Sequence, residues 1–238
     1  MPSPQRRLVK NLIQNLRTKT RSARRAVFQS FLTNLRRTLP DGDTRILKVL
    51  DLGGTAAFWE GWWNISAGDR LEITLVNNHV IDKTQEGKRP RTGFLTDVNR
   101  DATSITVEEF GQFDLIFSNS FLEHLRNRKD QALIAERISA SGRPYFIQVP
   151  NKNSPVDPHF PFAPFFAIWP LGIKARMLTL TDMGSGGRRV PSVEEARRRL
   201  SYYSPLGLRD MLQLFPAGSH KVERPFGVPM SILVYRPA

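Results

Sequence analysis

The sequence contains no cysteine. That one absence excludes a disulfide framework, thiolate metal centres and covalent catalysis through a cysteine thiolate. Histidine is scarce, with four in 238 residues. No grouping of His, Asp and Glu has metal-ligand spacing, so metal-independent chemistry is expected. Long apolar runs are lacking as well. The longest uncharged apolar stretch, Phe160 to Ile173, holds three prolines and is too short to span a bilayer. The basic N-terminus lacks the continuous apolar segment of a secretory signal, and a soluble, cytoplasmic protein is expected. Acidic residues are missing from one place in particular: residues 1–38 carry ten Arg or Lys and no Asp or Glu. Of the net charge of +13, only +3 remains for the other 200 residues. A basic extension over 1–40 therefore precedes a nearly balanced domain over 41–238.

The composition that remains is ordinary for a globular chain, 40% hydrophobic and 24% charged, and the length suits one α/β domain. Helical spacing marks the extension. Leu8, Leu12, Ile13 and Leu16 form one apolar stripe and Phe28, Phe31, Leu32 and Leu35 a second. Turn residues Leu39 to Asp43 end it. Strands are then expected at Ile46–Leu52, Leu71–Val76, Gly93–Val98, Phe113–Ser118 and Arg143–Val149, with a helix at about 121–140 stopped by Gly142. Residues 150–190 break this rhythm. Their prolines stiffen the chain between 154 and 170, and Gly184 to Gly187 follow. The segment reads as an acceptor-site cover or as an apolar flap on the core. A capping pattern at Ser192–Glu195 opens an Arg-rich helix, and another helix spans Leu206–Phe215. Strands near Lys221–Glu223 and Ser231–Tyr235 are joined too closely for a crossover helix, so they pair antiparallel. The fold class expected is α/β: a Rossmann-like three-layer sandwich around a mostly parallel seven-stranded sheet with an antiparallel last strand, plus the N-terminal helical extension.

The strongest local signal is Val49-Leu-Asp-Leu-Gly-Gly-Thr55. A buried strand running into glycines lets a backbone approach a ligand closely and points a helix N-terminus at it; a plain β–α turn has the same sequence. From here the order of motifs resembles class I S-adenosylmethionine-dependent methyltransferases, specifically the broad small-molecule group that opens on strand–Asp-x-Gly-Gly. The resemblance covers roughly residues 45–238. It implies S-adenosyl-L-methionine as cofactor. Asp51, Gly53, Gly54 and Thr55 would cradle the methionine part, and Asn77 would contact the ribose hydroxyls. Asp97 and Val98 would lie at the adenine, and Ser118 and Asn119 around the reactive sulfonium. Two positions depart from the family pattern. Thr55-Ala56-Ala57 stands where many members place another glycine, and Asn77 where an acidic residue is usual.

His124, just past the fourth strand, is the candidate general base, and His159 a second one. A base is required only when the acceptor loses a proton. The alternative for Glu123 and His124 is local capping or pairing at a helix start. Trp59, Trp62 and Trp63 read as packing. The leading reading is methyl transfer to O or N of a small-molecule or glycan-type acceptor. The basic extension leaves three partners open: nucleic-acid phosphates, an anionic membrane surface, or this domain itself, packed as a helix pair. A nucleic-acid methyltransferase lacks support at Ser118-Asn119-Ser120-Phe121, where no Asn-Pro-Pro-Tyr-like tetrad stands, although ribose methylation stays open. A non-catalytic binding module with the same fold is a third reading.

Overall fold

Apolar runs in this chain are short and rich in Val, Ile, Leu and Phe, the pattern of strands buried on both faces. The computed structural model describes residues 4–42, 44–78, 93–157, 160, 163–181 and 189–237. Helix α1 (Pro4–Thr38) is one continuous 35-residue helix, where a helix pair was an open reading. Strands β1 (Leu47–Leu52), β2 (Leu71–Asn77) and β3 (Leu95–Asn99) follow, then the short α2 (Val107–Phe110), β4 (Leu115–Asn119), α3 (Arg128–Ala140) and β5 (Tyr145–Pro150). Helices α4 (Leu171–Leu180), α5 (Val193–Leu200) and α6 (Leu208–Leu214) precede β6 (Ser219–Glu223) and β7 (Ser231–Arg236). The strands form one seven-stranded sheet in the order β3-β2-β1-β4-β5-β7-β6. Pairing is parallel from β3 to β5, and β7 runs antiparallel to both β5 and β6. The expected sandwich with an antiparallel last strand is present.

Strand alternation sorts the core into two layers. Leu50, Leu52, Ile116, Ile147 and Val149 pack with Ile134 and Ile138 of α3 and Met211 of α6 on one face. Leu47, Val49, Ile73, Phe117 and Phe146 pack on the other against Phe28, Phe31, Leu32 and Leu35 of α1. The second apolar stripe of the basic segment is thus one wall of the domain core. Phe28 is fully buried, with the rings of Trp63, Phe146, Phe117 and Trp59 at 4.7, 5.1, 5.3 and 5.9 Å. Each such side chain contributes ~1.5–3 kcal/mol on burial, enough to hold a helix whose arginines gain nothing by packing on themselves.

Three local expectations change. The segment after the glycine turn is a six-residue π-helix, Ala57–Trp62, not an α-helix. Its wide turn closes with Trp63 N–H donating to the Phe58 carbonyl at 3.0 Å. That spacing lets Phe58, Trp59 and Trp63 all bury beneath α1. The helix expected from about 121 starts at Arg128, because Asn127 in extended conformation caps it by accepting from Asp130 N–H. Residues Leu122–His124 form a separate 3₁₀ turn. Within 150–190, α4 was not anticipated: its exposed Leu171, Ile173 and Leu180 blur the period that buried Ala175 and Leu178 set. This region has its own small core of Phe166, Ala175, Leu178, Ala196 and Leu200.

Candidate functional site

Parallel sheets gather their ligand sites where the strand order reverses, outside the carboxyl ends. Here the chain runs outward through β1, β2 and β3 and returns to lay β4 against β1. A cavity of about 360 Å³ opens at that point. Asp51, Gly53, Gly54 and Thr55 line it from the β1 end, with Asn119 and Ser120 from β4 and Gln148 and Pro150 from β5. Thr20, Arg21 and Arg24 of α1 close it from the side, and Met230 and Ser231 border it at β7.

The glycine loop is built by close approach. Gly53 takes φ +73°, in the left-handed region, and a Cβ there would collide with the Phe121 ring. A Cβ on Gly54 would overlap the Asp51 carboxylate. Asn77 amide N–H donates to the Gly54 carbonyl at 2.7 Å, bracing the loop from β2. Asp51 itself is 1% exposed. Its Oδ2 accepts from Trp59 Nε1–H at 2.7 Å, while Oδ1 has no protein partner. Burial pushes its carboxyl well above the usual carboxylate range, and the Trp59 bond offsets only part of that. A buried carboxyl with one oxygen unused, beside a cavity, is poised for a cationic or hydrogen-donating group.

Opposite the loop stands an anchor that sequence reasoning missed. Arg24, 5% exposed, sends Nη2 to Glu223 Oε2 at 2.5 Å and Ser231 Oγ at 3.1 Å. Its Nη1 donates to Asn119 Oδ1 at 2.5 Å and Gln148 Oε1 at 3.1 Å, and Nε reaches both Glu223 oxygens. Ser120, at φ +61°, donates its hydroxyl to Gln148 Oε1. One guanidinium thus ties α1 to the ends of four strands. The signal was present: Leu16, Thr20, Arg24 and Phe28 recur every fourth residue, which puts Arg24 on the buried face.

Of the sequence candidates, the cavity brings together Asp51, Gly53, Gly54, Thr55 and Asn119. Asn77, Asp97, Val98, Ser118 and His124 are not in its lining. Ser118 is fully buried and turns its hydroxyl toward the Leu52 carbonyl. Asp97 sits inside β3 opposite Leu75, exposed, with Val98 next to it. Asp101, just past the carboxyl end of β3, accepts from Thr103 instead. His124 is 44% exposed on its 3₁₀ turn, with Nε2 3.9 Å from the buried Glu123. His159 lies outside the described residues, as does the Trp62 side chain. Among the described residues no group of three or more His, Cys, Asp or Glu is placed to hold a metal ion. None of the described helices is long and apolar enough to cross a membrane.

The strand order decides the architecture. A parallel half ending in an antiparallel β7 wedged between β5 and β6 sets this sheet apart from an all-parallel dinucleotide-binding sheet. The chain has the class I methyltransferase fold. No protein-family model matches its sequence, and no curated protein does. Among solved structures it is similar to an S-adenosylmethionine-dependent methyltransferase from Mesorhizobium loti, at 15% identity over 84% of this chain and 94% of that one, TM-score 0.48. It is similar to the 1,6-didemethyltoxoflavin-N1-methyltransferase of Burkholderia thailandensis at 13% identity over 99% and 90%, TM-score 0.42. A structure described as a zinc-dependent alcohol dehydrogenase from Rhodobacter sphaeroides is similar at 11% identity over 80% and 83%, TM-score 0.46. Architecture alone does not name a reaction.

Proposed function

We propose that the chain is an enzyme that binds S-adenosyl-L-methionine and transfers its methyl group to O or N of a small-molecule or glycan-type acceptor. The observation that carries this reading is Asp51: a buried carboxyl with Oδ1 unused, at a glycine loop where no Cβ can be accommodated. That free acceptor fits the amino-acid end of the cofactor, whose ammonium group supplies the missing hydrogen-bond donor and positive charge. Gly53, Gly54 and Thr55 hold the same end through the backbone, and Asn77 keeps the loop in place. We assign adenine recognition to the β3 end, where Asp101 joins Asp97 and Val98 as candidates. Asn119, Ser120 and Pro150 border the space left for the acceptor.

When bound, the cofactor supplies an electrophilic methyl group on a positively charged sulfur. The protein's part is to align the acceptor in line with that group and to keep water out. Arg24 serves this by fixing Asn119 and Gln148 in one orientation. Where the acceptor loses a proton, His124 is the proposed base and His159 the second candidate.

The nucleic-acid reading rests on the charge of α1. Arginines of this helix are used internally, among them Arg24 as described, and Arg36, which donates to the carbonyls of Gly42, Arg45, Asp69 and Arg70. This favours the small acceptor. The test is incubation with methyl-labelled cofactor and pools of phenolic, amine, sugar and RNA acceptors. Label on a small molecule supports the proposal. Label only on RNA, with salt-sensitive binding, overturns the acceptor class, and no transfer to any pool overturns the enzyme.

A further inference from the structure

A second depression, about 670 Å³, lies between α1 and Trp63, the residue that follows the π-helical segment. Gln14, Arg21, Arg25 and Gln29 line it from α1, and Trp63 from below. Steps of seven, four and four keep those four residues on one helix face. Fifteen residues of rise make the groove roughly 22 Å long. Among the described residues, none in its lining is acidic.

Two hydrogen-bond donors in this lining have no acceptor. Trp63, 1% exposed, has no partner for its indole N–H, and Arg25 has none for its Nε–H. Both atoms are closed to bulk solvent in this arrangement. A fold rarely leaves a buried donor unpaired, because its lost hydration is not recovered. What both lack is an acceptor atom. A guanidinium fork beside further N–H donors, with no carboxylate in the wall, suits the oxygens of a carboxylate or phosphate. Arg21 lines this groove and the glycine-loop cavity alike, so the two openings adjoin at that side chain.

We propose that the groove is an oxyanion site that holds the acidic arm, a carboxylate or phosphate, of the methyl acceptor. The word acceptor rests on the methyltransferase reading; the anion site does not. Arg25 and Trp63 bind the anion, and Arg21 bridges from it to the reaction cavity. The acceptor is then an acidic molecule long enough to reach from Asn119 to Arg25.

The indole N–H of Trp63 gives a direct readout by ¹H–¹⁵N correlation spectroscopy, assigned among the four tryptophans with Trp63→Phe. Inorganic phosphate and phenyl phosphate are titrated into the full-length protein and into Arg25→Gln, whose side chain is only half-buried. The Trp63 signal moves at millimolar concentration or below, phenyl phosphate binds the tighter, and Arg25→Gln weakens both about tenfold or more, the effect of one charge-assisted hydrogen bond. Inorganic phosphate binding as tightly as the ester overturns the acceptor-arm assignment in favour of a free anion. A motionless Trp63 signal, or an equal response in Arg25→Gln, overturns the site. Titration of S-adenosylhomocysteine into the same samples separates the two readings. Its failure with phosphate binding intact removes the methyltransferase and not the groove.

Discussion

The Arg24 guanidinium and the Glu223 carboxylate meet 199 residues apart in sequence, at 2.5 Å and with both side chains 7% exposed. They join the basic helix to the edge of the sheet at the mouth of the cavity. The pair explains why an arginine belongs on the buried face of this stripe: its donors end on acceptors from β4, β5, β6 and β7, with both Nε and Nη2 on Glu223.

Removing one partner of such a pair leaves the other charge buried and uncompensated. Arg24→Met is expected to lose ~3–5 kcal/mol of stability in urea unfolding, whereas the double variant Arg24→Met/Glu223→Met recovers most of it. A loss below about 1 kcal/mol, the level of an exposed ion pair, contradicts this account.

Gly54 is constrained by Asp51 and not by its own φ, which lies outside the left-handed region. Gly54→Ala pushes the carboxylate off Trp59, at ~1–3 kcal/mol for a forced shift in a packed site. Gly61→Ala, whose added carbon meets nothing within 4 Å, is the control. Thermal unfolding with and without S-adenosylhomocysteine reads both effects, because a ligand that binds only the folded state raises its stability. Stabilisation by the ligand is expected to persist in Gly61→Ala and to vanish in Gly54→Ala.

Asp51 makes the ligand-free protein pH-sensitive. Burial raises its carboxyl in the folded state, so the folded protein holds that proton more tightly than the unfolded chain does. Its contribution to stability is full below the ordinary carboxylate pKa of ~4 and is lost as pH rises through the higher folded value. Asp51→Asn removes that slope in urea midpoints measured across a pH series. A cationic ligand favours the ionised carboxylate, so ligand affinity rises over the same interval in the wild type and stays flat in Asp51→Asn.

His124 separates binding from chemistry. His124→Ala is expected to leave S-adenosylhomocysteine affinity unchanged and, with a proton-bearing acceptor, to lower kcat by ~10²–10⁴. Unchanged turnover removes the base assignment.

Strand and helix identity were legible because buried parallel strands and amphipathic helices carry strong periodic patterns. The antiparallel end of the sheet followed from a link too short to hold a crossover helix. The glycine loop was legible for the same local reason, since Gly53 and Gly54 are demanded by contacts within the loop and its neighbours. Arg24 was not read, although the period pointed at it, because its acceptors Asn119, Gln148 and Glu223 come together only through the sheet. The π-helical turn was hidden because its cause, three large aromatics sharing one wall with Phe28, lies in tertiary packing. Ser118 was assigned to the space around the sulfonium by the resemblance alone. Strand alternation turned it inward toward Leu52.

The central claim is that Asp51 and the glycine loop bind the cofactor. Calorimetric titration of S-adenosylhomocysteine into wild type and Asp51→Asn tests it most directly. The account predicts micromolar or tighter binding to the wild type and at least about tenfold weaker binding to the variant, the loss of one charge-assisted hydrogen bond. A folded wild type that binds no S-adenosylhomocysteine, or a variant that binds it equally well, contradicts it.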